Sequence, residues 1–173
     1  MALTTDQKGD VAETAIVHAA VKLGIGVLKP VTDGHRYDLI FDLGSRLLRV
    51  QCKWAPRIGD TIVIRCQSSR RAREGLRART YTAEEIDAIA AYSPDTGRCY
   101  LVPVSRVEGR RELRLRLEAA KNNQRLGINW ADLFEFGSVD WASLDQLGAI
   151  AQLGERVHGM HEVAGSSPAS STP

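Results

Sequence analysis

Arg36-Tyr-Asp-Leu-Ile-Phe-Asp-Leu-Gly-Ser-Arg-Leu-Leu-Arg-Val-Gln-Cys-Lys-Trp54 is the stretch that decides the fold. Residues 36–43 and 46–54 are rich in apolar and branched side chains, and Gly44-Ser45 is a tight turn between them. The two runs therefore predict a β-hairpin. Strand side chains alternate, so Gln51 and Lys53 share one face and Cys52 points the other way, into the core. The hairpin lays the Gln51–Lys53 face beside Asp38. These polar groups are conspicuous because Asp38 precedes Leu-Ile-Phe and Gln51 follows Leu-Leu-Arg-Val. A charge set among apolar strands is costly unless it is paired or bound. Two readings stay open at this point. One is a salt bridge across the hairpin between Asp38 and Lys53. The other is phosphodiester chemistry: Asp38 is a hard oxygen ligand for Mg²⁺, and Gln51 offers an amide oxygen. Lys53 then positions or deprotonates water and offsets transition-state charge.

Upstream, Thr5 and Asp6 are candidate caps for a helix running to about Leu23. Val11, Ala12, Ala15, Ile16, Ala19, Ala20 and Leu23 recur at helical spacing and predict a buried stripe. On such a helix Glu13 by itself reads as a rim residue. Gly26–Pro30 predicts a short strand and Val31–His35 a turn. Downstream, Pro56–Asp60 predicts a loop and Thr61–Gln67 a strand. Ser68–Thr80 is arginine-rich and reads as irregular or mobile. Ile86–Tyr92 and Cys99–Val104 flank the turn Ser93-Pro-Asp-Thr-Gly97 and predict a second hairpin. Leu113, Leu115 and Leu117 alternate with Arg114 and Arg116, the pattern of a half-exposed strand. Ala119–Gly127 predicts a loop. Trp130, Leu133, Phe134 and Phe136 predict a short apolar helix that closes the core. One helix followed by many strands makes an α+β layout with a mixed sheet, not a regular alternation of strand and helix.

The chain has 173 residues, of which 43% are hydrophobic and 25% charged, within the range of one soluble domain plus a tail. The net charge of +2 discriminates nothing, but its distribution does. Arg65, Arg70, Arg71, Arg73, Arg77 and Arg79 crowd one segment, and Arg106, Arg110, Arg111, Arg114 and Arg116 another. Such local charge suits a polyanion, with a solvated surface as the plain alternative. Cys52, Cys66 and Cys99 form no closely spaced pair, which argues against a disulfide framework or a structural zinc site and for reduced thiols in the cytoplasm. The polar N-terminus lacks the apolar centre of a signal peptide, and no apolar run approaches a membrane span.

Lys8-Gly9 through Glu13, Tyr37-Asp38-Leu39 and Val50-Gln51-Cys52-Lys53 together resemble the PD-(D/E)XK nuclease superfamily. Its core motif is an aspartate on one strand and an acidic-x-lysine triplet on the next. The resemblance is to the branch of group I intron-encoded homing endonucleases, related to Holliday-junction resolvases. It extends less specifically through Ile86–Tyr92, Cys99–Pro103 and Lys121–Gln124, covering roughly residues 6–136. Tyr37 stands where the namesake motif has proline. Gln51 replaces the second acidic residue, as in the intron-endonuclease branch, and removes one negative charge. The resemblance implies a restriction-endonuclease-like core, a mixed central β-sheet flanked by helices, in residues 1–140. It implies a metal-dependent DNA endonuclease using Mg²⁺, with Mn²⁺ as a substitute, and a DNA partner. Such enzymes act as dimers or tetramers, so self-association is expected. Asp38, Gln51, Lys53 and Glu13 would be catalytic. The metal ligands would be Asp38, the Gln51 side-chain oxygen, the Cys52 carbonyl, and Glu13 directly or through water. Arg65, Arg70, Arg71, Arg73, Arg77 and Arg79 would track the DNA backbone or enter a groove, with Gln67, Ser68 and Ser69 adding hydrogen bonds. Asn122, Asn123 and Gln124 are further candidates for that role, or a simple turn. Two alternatives to a homing-type nuclease are a junction resolvase and a catalytically silent DNA-binding module, which the neutral Gln51 keeps open.

Residues 141–173 form a tail. Ile150-Ala-Gln-Leu-Gly-Glu155 and Gly165-Ser-Ser-Pro168 resemble the peptide that translation of a bacterial tRNA gene would give, from a D-arm and a T-arm. A reading frame that runs into an adjoining tRNA gene, as a mobile element lodged at a tRNA locus produces, would account for it. The nucleotide sequence tests this: no cloverleaf beneath these codons would sink the idea. Ser, Gly, Ala and Pro content predicts disorder beyond about Val163. His158 and His161 are spaced like a metal pair, but the tail carries no sign of selection for folding that would support a site.

Overall fold

The computed structural model describes residues 2–72, 75–118 and 127–141. In chain order the elements are α1 (Thr5–Lys22), β1 (Gly26–Leu28), β2 (Leu39–Asp42), β3 (Leu47–Trp54), β4 (Arg57–Ile58), β5 (Thr61–Arg65), β6 (Gln67–Ala72), β7 (Gly75–Thr80), β8 (Ala88–Ser93), β9 (Arg98–Pro103), α2 (Val104–Val107) and β10 (Glu112–Arg116). A 3-10 turn at Ala131–Phe134 follows. This is the α+β, restriction-endonuclease-like fold with a mixed central sheet that the sequence implies.

The hairpin forms as its alternation requires. β2 and β3 pair antiparallel with Leu39 opposite Val50 and Phe41 opposite Leu48. Gly44, at φ +78°, supplies the left-handed turn residue. β3 then pairs parallel with β8, Gln51 opposite Ile89 and Lys53 opposite Ala91, and β8 pairs antiparallel with β9. The central sheet thus runs β1-β2-β3-β8-β9.

Each face of this sheet has its own core. On one, Leu48, Val50, Cys52, Ala88 and Ala90 meet Ile16 and Ala20 of α1. Small residues on both partners let the helix lie close. Of the expected helical stripe, Ala12, Ile16 and Ala20 are buried, while Val11 and Leu23 are exposed. The cap is Thr4, one residue before the expected pair. Its hydroxyl accepts from the Gln7 N–H, and the Gln7 side chain accepts from the Thr4 N–H, a reciprocal capping box. On the other face, Ile89, Ala91, Tyr100 and Val102 meet Ile62 and Ile64 of β5, Leu113 and Leu115 of β10, and Phe134. This face is covered by a second sheet, ordered β10-β5-β4, instead of a long helix. Phe134 and Phe136 are buried, one in each core, and the expected closing helix is a single 3-10 turn that ends at Phe134, with Phe136 beyond it donating its N–H to the Cys99 carbonyl.

Two expectations are overturned. Ser68–Ala72 and Gly75–Thr80 are not irregular: β6 and β7 form an antiparallel two-stranded ribbon in register from Gln67–Thr80 to Ala72–Gly75. Pro56–Asp60, expected as a loop, contains the short strand β4, which pairs antiparallel with β5. The loop expected at Ala119–Gly127 falls, apart from Gly127, outside the described residues, as does the tail beyond Trp141 with His158 and His161. Among the described residues no helix is long and apolar enough to cross a membrane.

Candidate active site

Asp38 lies just before β2, where its N–H donates to the Val50 carbonyl (2.9 Å) and so joins β3. Its Oδ2 accepts the Cys52 backbone N–H (2.8 Å) and a proton of the Gln51 side-chain amide. The same amide nitrogen donates to the Cys52 carbonyl oxygen (3.2 Å). Asp38 Oδ2 and the Cys52 carbonyl oxygen therefore converge on one donor. Burial raises the Asp38 pKa above the ordinary carboxylate value, against the lowering effect of the Cys52 N–H and the Lys53 charge.

Lys53 follows Gln51 on the same face of β3. Its ammonium is held by one long hydrogen bond to the Gln67 carbonyl (3.5 Å) and stands 5.1 Å from the Tyr81 ring centroid. Burial lowers its pKa, and the nearby Arg36 charge lowers it further. The ion pairs found among the described residues include none between Asp38 and Lys53, so a simple cross-hairpin salt bridge does not describe the pair. Cys52 is buried on the α1 face, where its thiol pKa is strongly raised by burial. That thiol faces α1, which leaves the carbonyl as the Cys52 donor atom toward the site.

Glu13 projects from α1 and pairs with Lys29, just beyond β1. Its hydrogen bond raises the Lys29 pKa. The charge of Glu13 reaches Asp38 and adds to the rise of its pKa. Asp38, Gln51 and Lys53 are thus brought together, with Glu13 at the edge of the group and already partnered.

The donor set fits a hard divalent cation: one carboxylate, one main-chain carbonyl and one amide, with a second carboxylate within electrostatic reach. A half-turn of the Gln51 amide exchanges its nitrogen for its oxygen at the point where the Asp38 and Cys52 oxygens meet. Among the described residues no three His, Cys, Asp or Glu side chains form a metal cluster. The set depends on an amide and a carbonyl, which is what Gln51 in place of an acid requires.

The arginines separate into two groups. Arg65 is exposed at the end of β5. Arg70 and Arg71 lie in β6 and Arg77 in β7, with Arg70 and Arg77 register partners. Arg79 is exposed but pairs with Glu85, so part of its charge is already used within the fold. Arg73 lies outside the described residues. Ser68 accepts from Arg36, which leaves its O–H free to donate.

Sequence reasoning missed a second layer behind Lys53. Arg36 donates to Ser68 Oγ and to the Thr80 carbonyl (3.0 Å), pairs with Glu85 (3.3 Å), and lies 4.5 Å from the Tyr81 ring centroid. It lies in the bend that leads into β2, two residues before Asp38, and no local pattern names its partners. Tyr81 and Glu85 carry no local signal. They reach the site only through the long-range pairing of β3 with β8.

Comparison with known proteins bears on the whole of this unit. The sequence profile of the PD-(D/E)XK endonuclease family matches residues 3–137. A search of solved structures finds a bacterial homing endonuclease, I-Ssp6803I, with TM-score 0.64 and 28% sequence identity, covering 86% of this chain and 97% of that one. No curated protein matches.

Proposed function

Because the chain belongs to the PD-(D/E)XK endonuclease family, we propose that it is a metal-dependent DNA endonuclease of the homing type. The observation that carries this is the convergence of Asp38 Oδ2 and the Cys52 carbonyl on the Gln51 amide, with the Lys53 ammonium on the same face. In this reading Asp38, Gln51 and the Cys52 carbonyl would hold Mg²⁺ or Mn²⁺, with Glu13 joining them directly or through water. The cation supplies polarisation of the scissile phosphate and a lower pKa for water. Asp38, already desolvated, gains by facing a positive charge. Lys53, held by a carbonyl and a ring, keeps N–H donors for a phosphate oxygen or the attacking water.

The β6–β7 ribbon supports a DNA partner. A two-stranded β-ribbon fits the major groove, and Arg70, Arg71 and Arg77 concentrate charge along it. Arg65 flanks its base. Likeness to I-Ssp6803I supports the homing type over a junction resolvase. The described residues of the chain hold one such site, and the two strands of a duplex are related by a two-fold axis. A symmetric oligomer therefore supplies one site per strand. We take residues 1–140 as the nuclease domain and 141–173 as an appended tail. Trp141 still packs on the domain, edge-on to Phe41 and Phe136.

The test is cleavage of supercoiled plasmid carrying an intact tRNA locus, with Mg²⁺ or Mn²⁺ and with chelator. Wild type should cut with metal alone, and Lys53→Ala should bind without cutting. Tight binding with no metal-supported cutting of linear or four-way-junction DNA would give the silent-module reading the field.

A further inference from the structure

Lys53 has few holders for a charge so central to the site. Its one hydrogen bond is long, at 3.5 Å to the Gln67 carbonyl, where an ammonium would prefer less than about 3.0 Å. The Tyr81 ring, 1% exposed and fixed between β7 and β8, lies under the ammonium at 5.1 Å and under the Arg36 guanidinium at 4.5 Å. Both separations fall within the range of cation–π attraction, which strengthens where water is excluded. Two like charges gathered on one ring need countercharges. Glu85 serves Arg36, and the charge of Asp38 reaches Lys53. The ring is also joined to the ribbon, since Arg36 bonds Ser68 on β6 and Thr80 on β7, and Glu85 pairs with Arg79.

We propose that Tyr81 is a positioning residue for the nuclease reaction, its ring face holding the Lys53 ammonium at the scissile position while Arg36 fixes the ring to the base of the arginine ribbon. The proposal rests on the nuclease reading and extends it. A ring can hold an ammonium without consuming its hydrogen-bond donors, so Lys53 is located yet keeps its N–H groups for substrate oxygens. A carboxylate partner would locate it equally well but neutralise it. The ring, not the hydroxyl, performs this role.

The experiment has a kinetic arm and a spectroscopic arm. Single-turnover cleavage and duplex Kd are measured for wild type, Tyr81→Phe and Tyr81→Leu, with Tyr81→Met replacing the last if it fails to fold. Tyr81→Phe should cut within about threefold of wild type. The aliphatic variant should cut about thirtyfold more slowly, the fold-change matching one desolvated cation–π contact, with Kd unchanged. A purely structural role would weaken binding and cutting together. In parallel, the Lys53 ε-methylene is observed by NMR in ¹³C-lysine protein and assigned by its loss in Lys53→Arg. It should be shifted upfield by the ring in wild type and Tyr81→Phe, and return to the ordinary lysine position in the aliphatic variant. Wild-type rates in the aliphatic variant, or an unshifted Lys53 in protein that cuts, would overturn the Tyr81 proposal alone. Wild type that cuts nothing while Lys53 keeps its ring shift would overturn the nuclease reading alone.

Discussion

The central sheet and the β6–β7 ribbon are built from strands of similar length by opposite means. β8 is buried on both faces, every residue but Tyr92 shielded, and it pairs with a neighbour along each edge. The strands of the ribbon pair with each other, and at its base Cys66 and Tyr81, just beyond its ends, are buried in the second core. A two-stranded hairpin alone is marginal in water. This one is anchored at its base by polar contacts from Arg36, Lys53 and Glu85. The sheet is therefore a rigid frame that fixes Asp38 and Gln51. The ribbon is an appendage whose composition is free to serve a partner.

The largest effect should come where the frame meets the chemistry. Asp38→Asn keeps the shape of the side chain and removes its charge, and cleavage should fall on the order of 10²–10³-fold or more. Stability should move the other way. The folded state raises the Asp38 pKa, so the charged form is disfavoured there, and this penalty is present above the folded pKa. Neutral-pH melting of Asp38→Asn should match or exceed wild type. The gain should vanish as pH falls below the ordinary value of 3.8, where Asp38 is protonated folded or unfolded. A lower melting temperature at neutral pH would contradict a desolvated, function-driven carboxylate.

Truncation within the frame comes next. Ile89 is fully buried opposite Gln51, so Ile89→Ala should cost about 2–5 kcal/mol in denaturant unfolding. A cost near zero would mean that the second core is loosely packed. A smaller effect is expected at Asp87, which ties β8 to β3. Its carboxylate accepts the Arg49 main-chain N–H (2.7 Å) and the Arg49 guanidinium (3.0 Å and 3.1 Å). Burial pushes its pKa up, but the Arg49 hydrogen bonds outweigh this and hold it below the ordinary value. A depressed carboxylate adds stability above its unfolded pKa and loses it as pH falls through the folded one. Asp87→Asn should therefore cost about 1 kcal/mol near neutral pH, with allowance for a side chain 34% exposed. The difference from wild type should shrink below pH 3.8.

The same contrast explains what could be read from the sequence. The β2–β3 and β8–β9 hairpins were legible because apolar alternation and a short turn lie within one local window. That window also carried Asp38, Gln51 and Lys53, since strand phase alone puts the last two on one face. The parallel pairing of β3 with β8 was not legible. It joins Gln51 to Ile89 across a long crossover, and no local pattern encodes such a partner. Arg36, Tyr81 and Glu85 stayed hidden for the same reason. The ribbon failed differently. Its strands lack apolar alternation, so composition pointed to an irregular segment. The usable signal was Gly75, at φ +118°, the first residue of β7.

The ribbon gives the smallest stability effect and the sharpest test of the comparison. Arg70 and Arg77 are register partners, and like charges directly opposite each other on a hairpin disfavour it unless an anion intervenes. A strand position kept for folding would not hold that pair. Arg77→Thr introduces a good strand former and removes the repulsion, so stability should stay within about 0.5 kcal/mol of wild type or rise. Duplex affinity should fall instead, and the slope of log K against log salt should flatten by about 0.9 for each phosphate that the variant no longer neutralises. A combination of Arg70→Thr with Arg77→Thr should flatten it by about twice that, still without unfolding the sheet. If the double variant melts like an Ile89 truncation, the ribbon is part of the frame. If it keeps both its melting point and its salt slope, the arginines are a solvated surface, and DNA is held elsewhere on the molecule.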